Sequence, residues 1–329
     1  MTAAAPRVVV AVLTYRRPED LREVLPEVAA QCAAQTAAGT PSRVLVVDND
    51  PDGSALPEVA ALGLAGVDVV HEPEPGIAAA RNRALDVADE AGEDVLVFLD
   101  DDERPCEGWL GLLLATWRSE RCGAVVGPVV SRFPGEPAPW VHAGGFFTRR
   151  RLATGTRVDV AATNNLLLDL ARVRAAAPGG LRFDARFGVS GGSDTLFTRL
   201  LHTAGAELVW CDEAVVTDVV PVSRTTRGWV LRRQLRSGNS HARVEVVVAP
   251  SAPARVLARS ACAGRGLLRV VAGAGGTVAG TVRGDTSMQA RGAKALARGT
   301  GMLGGALGWT YAEYRRPAAT TPPPAVDGD

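Results

Sequence analysis

The chain has almost no lysine, few cysteines and few aromatic residues. Of its 36 Lys and Arg residues only Lys294 is lysine, so its cationic groups are nearly all guanidiniums. The five cysteines (Cys32, Cys106, Cys122, Cys211, Cys262) are scattered and form no C-x-x-C. That argues for reduced cytosolic thiols rather than a disulfide framework or a zinc site. The four histidines (His71, His142, His202, His241) lack metal-ligand spacing, and His202 falls in an expected helix as a structural residue. No stretch approaches the ~20 apolar residues a spanning helix needs. The apolar run Val8 to Leu13 is too short for a signal peptide and is soon followed by Arg16-Arg17, so a cytoplasmic location is expected. The absence of G-x-G-x-x-G and of G-x-x-x-x-G-K-S/T counts against a dinucleotide oxidoreductase and a P-loop NTPase. Gly188-Val189-Ser190-Gly191-Gly192 only approaches a G-x-S-x-G elbow, so serine-hydrolase chemistry has no support.

Net charge is also missing: 36 basic residues balance 36 acidic ones. The zero hides a division. Residues 1–222 carry 31 acidic against 20 basic residues, a net of −11. Residues 223–298 carry 14 basic against 2 acidic, a net of +12. Such a chain does not bind polyanions by bulk charge, so no nucleic-acid partner is expected, but it presents two different surfaces. At 47% hydrophobic and 22% charged residues its composition is that of a globular protein, one large domain or a domain with an appendage.

What is present first is alternation. Val8 to Leu13, Arg43 to Val47, Val67 to Val70 and Val95 to Leu99 are apolar runs of the kind that form strands covered on both faces. Helical patterns lie between them, one starting at Pro18 and one over Gly76 to Glu90. A mostly parallel α/β sheet with flanking helices follows. Three strand ends are polar: Thr14-Tyr15-Arg16, Asp48-Asn49-Asp50 and Asp100-Asp101-Asp102. All three should share one rim, where such sheets bind ligands. Ala124 to Val130 and Asn165 to Leu168 read as further strands, separated by a Pro/Gly/aromatic loop over Phe133 to Phe147. Asp194 to Ala204 and Arg227 to Ala242 read as helices, the second basic.

Asp100-Asp101-Asp102 is the strongest single feature. Three adjacent carboxylates repel one another and call for a compensating cation, and Mg2+ or Mn2+ takes such oxygen ligands together with substrate phosphates. Asp100 and Asp102 can converge while Asp101 turns away. Other positions support two readings each. Asp48 can accept from a base or ribose, or form an Asx turn in a segment rich in turn formers. Gly76 to Asn82 can seat a ligand at a helix start, or Arg81 and Asn82 can be a surface pair. Asp194, behind Gly191-Gly192, can be a helix N-cap or an exposed general base. Arg232, Arg233 and Arg236 can meet phosphates or form a solvated helix face. Asp218 is a weaker candidate beside them.

Together the segments V-V-V-A-V-L-T-Y-R-R-P-E-D-L, V-L-V-V-D-N-D, E-P-E-P-G-I-A-A-A-R-N-R-A-L, D-V-L-V-F-L-D-D-D-E, T-N-N-L-L-L and G-G-S-D-T-L-F resemble, in order and spacing, the bacterial family 2 glycosyltransferases of GT-A fold over roughly residues 7–240. The resemblance implies a metal-dependent, inverting transfer from a nucleotide-diphosphate sugar to a glycan or lipid-linked acceptor, in cell-surface polysaccharide or glycolipid assembly. It implies that Asp48 and Thr14-Tyr15-Arg16 hold the nucleobase and that Arg81 lies against the nucleotide. Asp100 and Asp102 would be the acids of the D-x-D motif, with Asp102 the direct ligand of Mn2+ or Mg2+ and Asp101 between them in the nucleotide site. Asn164 and Asn165 would face donor sugar or acceptor, and Asp194 would be the base. The last motif usually reads G-G-E-D, and here Ser193 replaces the Glu. A non-catalytic GT-A-like binding protein is the alternative. A pyrophosphorylase would want a glycine-rich loop where this chain reads Thr14-Tyr15-Arg16-Arg17-Pro18.

The expected organisation is a transferase domain over 1–240, a basic amphipathic helical region over 241–317 and a disordered tail over 318–329. The second region could lie on an anionic membrane, peripheral to the inner face, or pack on the catalytic domain.

Overall fold

A computed structural model describes residues 4–188 and 190–311. The first half alternates as its apolar runs dictate: β1 (Val8–Thr14), α1 (Pro18–Ala37), β2 (Ser42–Asp48), α2 (Ala55–Leu62), β3 (Val67–His71), α3 (Ile77–Glu90) and β4 (Val95–Asp100). Strands β3, β2, β1 and β4 lie side by side and parallel. Successive side chains of a strand face opposite ways. Val8, Val10 and Val12 therefore join one core with Leu21, Val24 and Leu25 of α1, while Val9 and Ala11 join another with Ala80, Ala84 and Leu85 of α3. Each fully buried Val or Leu contributes about 1.5–3 kcal/mol relative to exposure. The register sets Thr14 beside Asp48 and Leu13 beside Asp100. The three polar strand ends thus do share one rim.

The eight-stranded sheet continues from β4 through β9 (Asn165–Asp169), β6 (Ala124–Val126), β10 (Leu208–Trp210) and β8 (Arg157–Val158). Strand β9 runs antiparallel between β4 and β6. A second sheet holds β5 (Glu103–Pro105), β11 (Val216–Val219) and β7 (Val129–Arg132). The expected single strand over 124–130 is therefore two strands in two sheets. Gly127 and Pro128 cause the break. A side chain on Gly127 would overlap the Asn165 amide and the Ala214 carbonyl, and Pro128 has no N–H for a ladder. The short helices α4 (Trp109–Glu120), α5 (Pro139–Ala143), α6 (Leu170–Ala175) and α7 (Ser193–Thr203) flank these sheets.

Three helices follow: α8 (Arg227–Val248), α9 (Ala252–Arg283) and α10 (Thr286–Ala306). Helix α8 runs through residue 240 without a break. The aromatic loop before β8 anchors this region, because Trp140 and Phe146 pack with Val230 of α8 and Ala290 of α10. Glycines at the helix contacts let backbones approach closely: Gly273 and Gly292 between α9 and α10, Gly301 between α10 and α8. Among the described residues no helix is long and apolar enough to cross a membrane. The expected tail over 318–329 lies outside the described residues.

Candidate active site

The three aspartates after β4 divide their work. Asp101 turns inward, accepts from the Thr14 hydroxyl at 2.9 Å and from Arg17 at 2.8 Å, and is buried. Burial pushes its carboxyl up to about 7, with Asp102 and Asp100 adding to the effect against the pull of Arg17 and Thr14. Asp102 receives Arg17 at 2.8 Å and Arg224 at 3.2 Å, both on Oδ2. Its Oδ1 has no protein partner among the described residues. Asp100 accepts no hydrogen bond among the described residues. Burial pushes it up to about 6; Arg81 opposes, while the Asp102 and Asp194 charges push further. These carboxylates are therefore near enough to act on one another's charge.

Asp194 reaches this group from α7. The helix begins at Ser193 behind Gly191 and Gly192, whose φ values of 77° and 92° are left-handed. Gly192, not Asp194, occupies the N-cap, so the capping role expected for Asp194 is not the one it has. Its Oδ1 accepts from the Thr195 amide at 2.7 Å, and Oδ2 is unbonded among the described residues. Arg81, buried on α3, donates to the Ser193 hydroxyl at 2.8 Å and lies over the Phe183 ring at 5.4 Å. It is no surface pair with Asn82, which instead brackets the Phe183 backbone.

Opposite stands an arginine arm. Arg149 donates to Asp218 at 2.7 Å, and Asp218 sits beside Glu103 in the second sheet. Glu103 is buried, bonded on one oxygen by Asn164, and its Oε2 has no partner. Burial and the Asp100 charge raise its carboxyl well above the usual range. Arg233 stacks against Phe147 and Trp229 and forms no hydrogen bond or ion pair among the described residues. Burial and then the charges of Arg149 and Arg236 lower it to about 10, against the pull of Asp218. Arg236 packs along Gly191, in the loop before Asp194. Arg232, turned about 100° around the helix, is exposed.

Three expected site residues serve the framework. Asp48 is 0% exposed, and its carboxylate accepts from the Asp50 and Ala55 amides at 3.0 and 2.6 Å. It closes the turn after β2. Asn165 is 1% exposed and is spent on Trp109 and the Pro128 and Ala214 carbonyls. Thr14 is held by Asp101. Tyr15 stays partly exposed on the rim with the Arg16 guanidinium 5.4 Å from its ring centre, and Arg16, at φ 54°, ties to Asp50 at 3.0 Å. Burial pushes the Asp50 carboxyl up, and hydrogen bonds from Arg16 and Ser54 outweigh it and bring it below its usual value.

Arg17, Glu103, Arg149 and Arg224 contact these candidate residues and lie outside the expected set. The signals were present: Glu103 ends the acidic run, Arg17 follows Arg16, and Arg149 opens a three-arginine run. Among the described residues no three His, Cys, Asp or Glu side chains form a set able to hold a metal alone. The donor atoms present, the unbonded oxygens of Asp100 and of Asp102 Oδ1, are hard carboxylate ligands. They suit Mg2+ or Mn2+ shared with phosphates. A separate open cleft of about 500 Å3, lined by Glu23, Arg104, Arg132 and Thr217, contains none of these aspartates.

The profile named Glycosyl transferase family 2 matches residues 9–169. The chain is 38% identical over 239 residues, 71% of its length and 74% of the relative's, to the succinoglycan biosynthesis protein ExoM of Rhizobium meliloti (strain 1021). The chain belongs to glycosyltransferase family 2. Among solved structures it resembles the mannosyltransferase PcManGT from Pyrobaculum calidifontis in complex with GDP-Man and Mn2+, at a TM-score of 0.56 and 19% identity. That match covers 90% of this chain and 86% of the other. It also resembles GalNAc-T7 with UDP, GalNAc and Mn2+, at a TM-score of 0.52 and 14% identity, over 76% of this chain. The match spans about half, 49%, of that longer chain. These likenesses establish the GT-A fold of this glycosyltransferase.

Proposed function

We propose that this glycosyltransferase moves a sugar from a nucleotide-diphosphate sugar to an acceptor hydroxyl with inversion at the anomeric carbon. The observation that carries the reading is the half-buried Asp100, without a hydrogen-bond partner for its carboxylate among the described residues and within reach of the Asp102 and Asp194 charges, with the unpaired Arg233 on the arginine arm. The donors and Mn2+ in the related solved structures support it. The relative's part in succinoglycan biosynthesis supports a place in cell-surface polysaccharide or glycolipid assembly, with a glycan or lipid-linked acceptor.

Asp102 and Asp100 would hold a Mn2+ or Mg2+ ion, which supplies positive charge to the departing diphosphate. The loop of Thr14, Tyr15 and Arg16, braced by Asp48 and Asp50, frames the nucleobase, with the Tyr15 ring as a stacking face. Arg81 sits under the nucleotide, and Asn164 faces the sugar from Glu103. Asp194 Oδ2 takes the proton of the acceptor hydroxyl. The acceptor oxygen attacks the anomeric carbon from the face opposite the diphosphate, and the anomeric C–O bond breaks with its electron pair leaving on the nucleoside diphosphate. Arg233, Arg236 and Arg224 hold that charge.

Thermal shift against a panel of UDP- and GDP-sugars, with and without Mn2+, tests donor binding. Transfer or slow donor hydrolysis by the same protein tests catalysis. Asp102→Ala should lose Mn2+-dependent donor binding, and Asp194→Ala should keep binding and lose transfer. Normal turnover by Asp194→Ala would remove it from the base role. Donor binding without any hydrolysis or transfer would favour the non-catalytic reading that Ser193 suggests.

A further inference from the structure

Helix α9 buries one face and exposes a second apolar one. Cys262, Gly266, Gly273 and Gly280 face the rest of the chain, with the three glycines one heptad apart. At 100° per residue, Leu257, Leu267, Leu268, Val271, Val278 and Val282 lie together on the opposite side. All six are exposed, Leu268 at 71% and Val282 at 81%. Near the helix start the Arg259 guanidinium holds the Ala306 carbonyl at 2.8 Å, and Leu307 and Trp309 beyond it are exposed. The helix carries five arginines and no acidic residue. Arg265 and Arg283 lie on one flank of the apolar stripe, whereas Arg269 turns towards α10 and donates to Met302 Sδ.

An exposed row of large apolar side chains of this kind calls for an occupant. Residues 312–329 hold one aromatic residue and are rich in Pro, Ala and Thr, so that segment offers little apolar matter to set against the stripe. A second copy meeting the same face with its α9 antiparallel would bring arginine flank against arginine flank. A spanning orientation is excluded by those same arginines and by the helix's low apolarity. An anionic bilayer surface fits both halves of the pattern. We propose that α9 lies in the plane of an anionic membrane, its Leu/Val stripe at the acyl boundary and its flanking arginines on headgroup phosphates. This docking is independent of the transfer chemistry.

Co-sedimentation of the full chain with extruded phosphatidylcholine vesicles, with and without about 25% phosphatidylglycerol, tests it. The wild type should partition to the anionic vesicles and release as salt rises. The triple variant Leu257→Glu, Leu268→Glu, Val271→Glu alters exposed side chains only. It should keep its melting temperature and lose roughly tenfold or more in partitioning. Arg265→Glu with Arg283→Glu should weaken binding to anionic vesicles and leave neutral ones unchanged. The proposal is overturned if the wild type stays in the supernatant with anionic vesicles, or if the triple variant sediments like the wild type. It is equally overturned if light scattering finds a wild-type oligomer that the triple variant converts to monomer, because the stripe would then be a protein interface.

Discussion

Arg81 and Ser193, 112 positions apart in sequence, are joined by a buried 2.8 Å hydrogen bond that ties α3 to the first turn of α7. The bond holds the guanidinium near Asp100, where its charge opposes the burial of that carboxyl. It also fixes the helix start that presents Asp194. A hydroxyl thus does what a carboxylate would do with more charge.

Ser193→Ala should therefore destabilise the chain. A buried charged donor left without its acceptor costs about 1.5–3 kcal/mol. Transfer should fall with it, because the Asp194 turn loses its tie, while Mn2+-dependent donor binding through Asp102 persists. An unchanged melting temperature together with unchanged turnover would show that the bond holds nothing.

Asp101 gives a stability test with a definite sign. Its folded value of about 7 stands above the ordinary 3.8. Between those values the folded chain keeps a proton that the unfolded chain releases. This group's stabilising contribution is present below pH 4 and is lost as pH rises to about 7, up to an order of about 4 kcal/mol. Asp101→Asn can still accept from Arg17 and donate to Thr14, and it cannot titrate. Its urea-unfolding free energy should fall less steeply between pH 4 and pH 7 than that of the wild type. Parallel profiles would contradict the assignment.

Much of this site could be read from residue order, because its frame is local. A strand buried on both faces reads as an apolar run, and its polar end marks the rim. Thr14, Asp48 and Asp100 were placed in that way, and the register confirms their rows. What could not be read is where each polar atom points. Asp48 and Asn165 look like ligand residues in one dimension, but backbone amides, Trp109 and two carbonyls use them up. Arg232 and Arg233 are neighbours in sequence, yet 100° of helix turn sends one to solvent and the other to the site. Glu103, Arg149 and Arg224 meet through sheet pairing and long-range ion pairs, which no spacing rule encodes. The second sheet was missed although Pro128 stands inside the run, because the close approach of Asn165 and Ala214 to Gly127 that completes the break comes from far away in sequence.

The helical region gives a paired glycine test. A methyl on Gly301 would run into the Leu235 carbonyl of α8, whereas one on Gly264, in α9, would meet open space. Gly301→Ala should cost about 1–3 kcal/mol through overpacking. Gly264→Ala should stabilise by about 0.5–1 kcal/mol through helix propensity alone. Differential scanning calorimetry reads both. Equal shifts of one sign would mean that α8 and α10 do not pack at Gly301.

Arg233 sets function against stability most directly. Its half-buried guanidinium lies beside the stacked Phe147 and Trp229 rings, and burial, joined by the like charges on Arg149 and Arg236, lowers it to about 10. A partly desolvated charge without a carboxylate partner is costly, and replacing it with an apolar side chain of similar length removes that cost. Arg233→Met should therefore melt at the same temperature as the wild type or higher. If the charge is kept for an incoming diphosphate, the same variant should bind UDP or GDP about ten- to a hundredfold more weakly, since one charge-assisted contact contributes about 1.5–3 kcal/mol. Titration calorimetry with Mn2+ and the nucleoside diphosphate measures that loss. A variant that is both less stable and undiminished in nucleotide affinity would make Arg233 a structural residue held by its aromatic neighbours, and the diphosphate charge would then fall to Arg236 and Arg224.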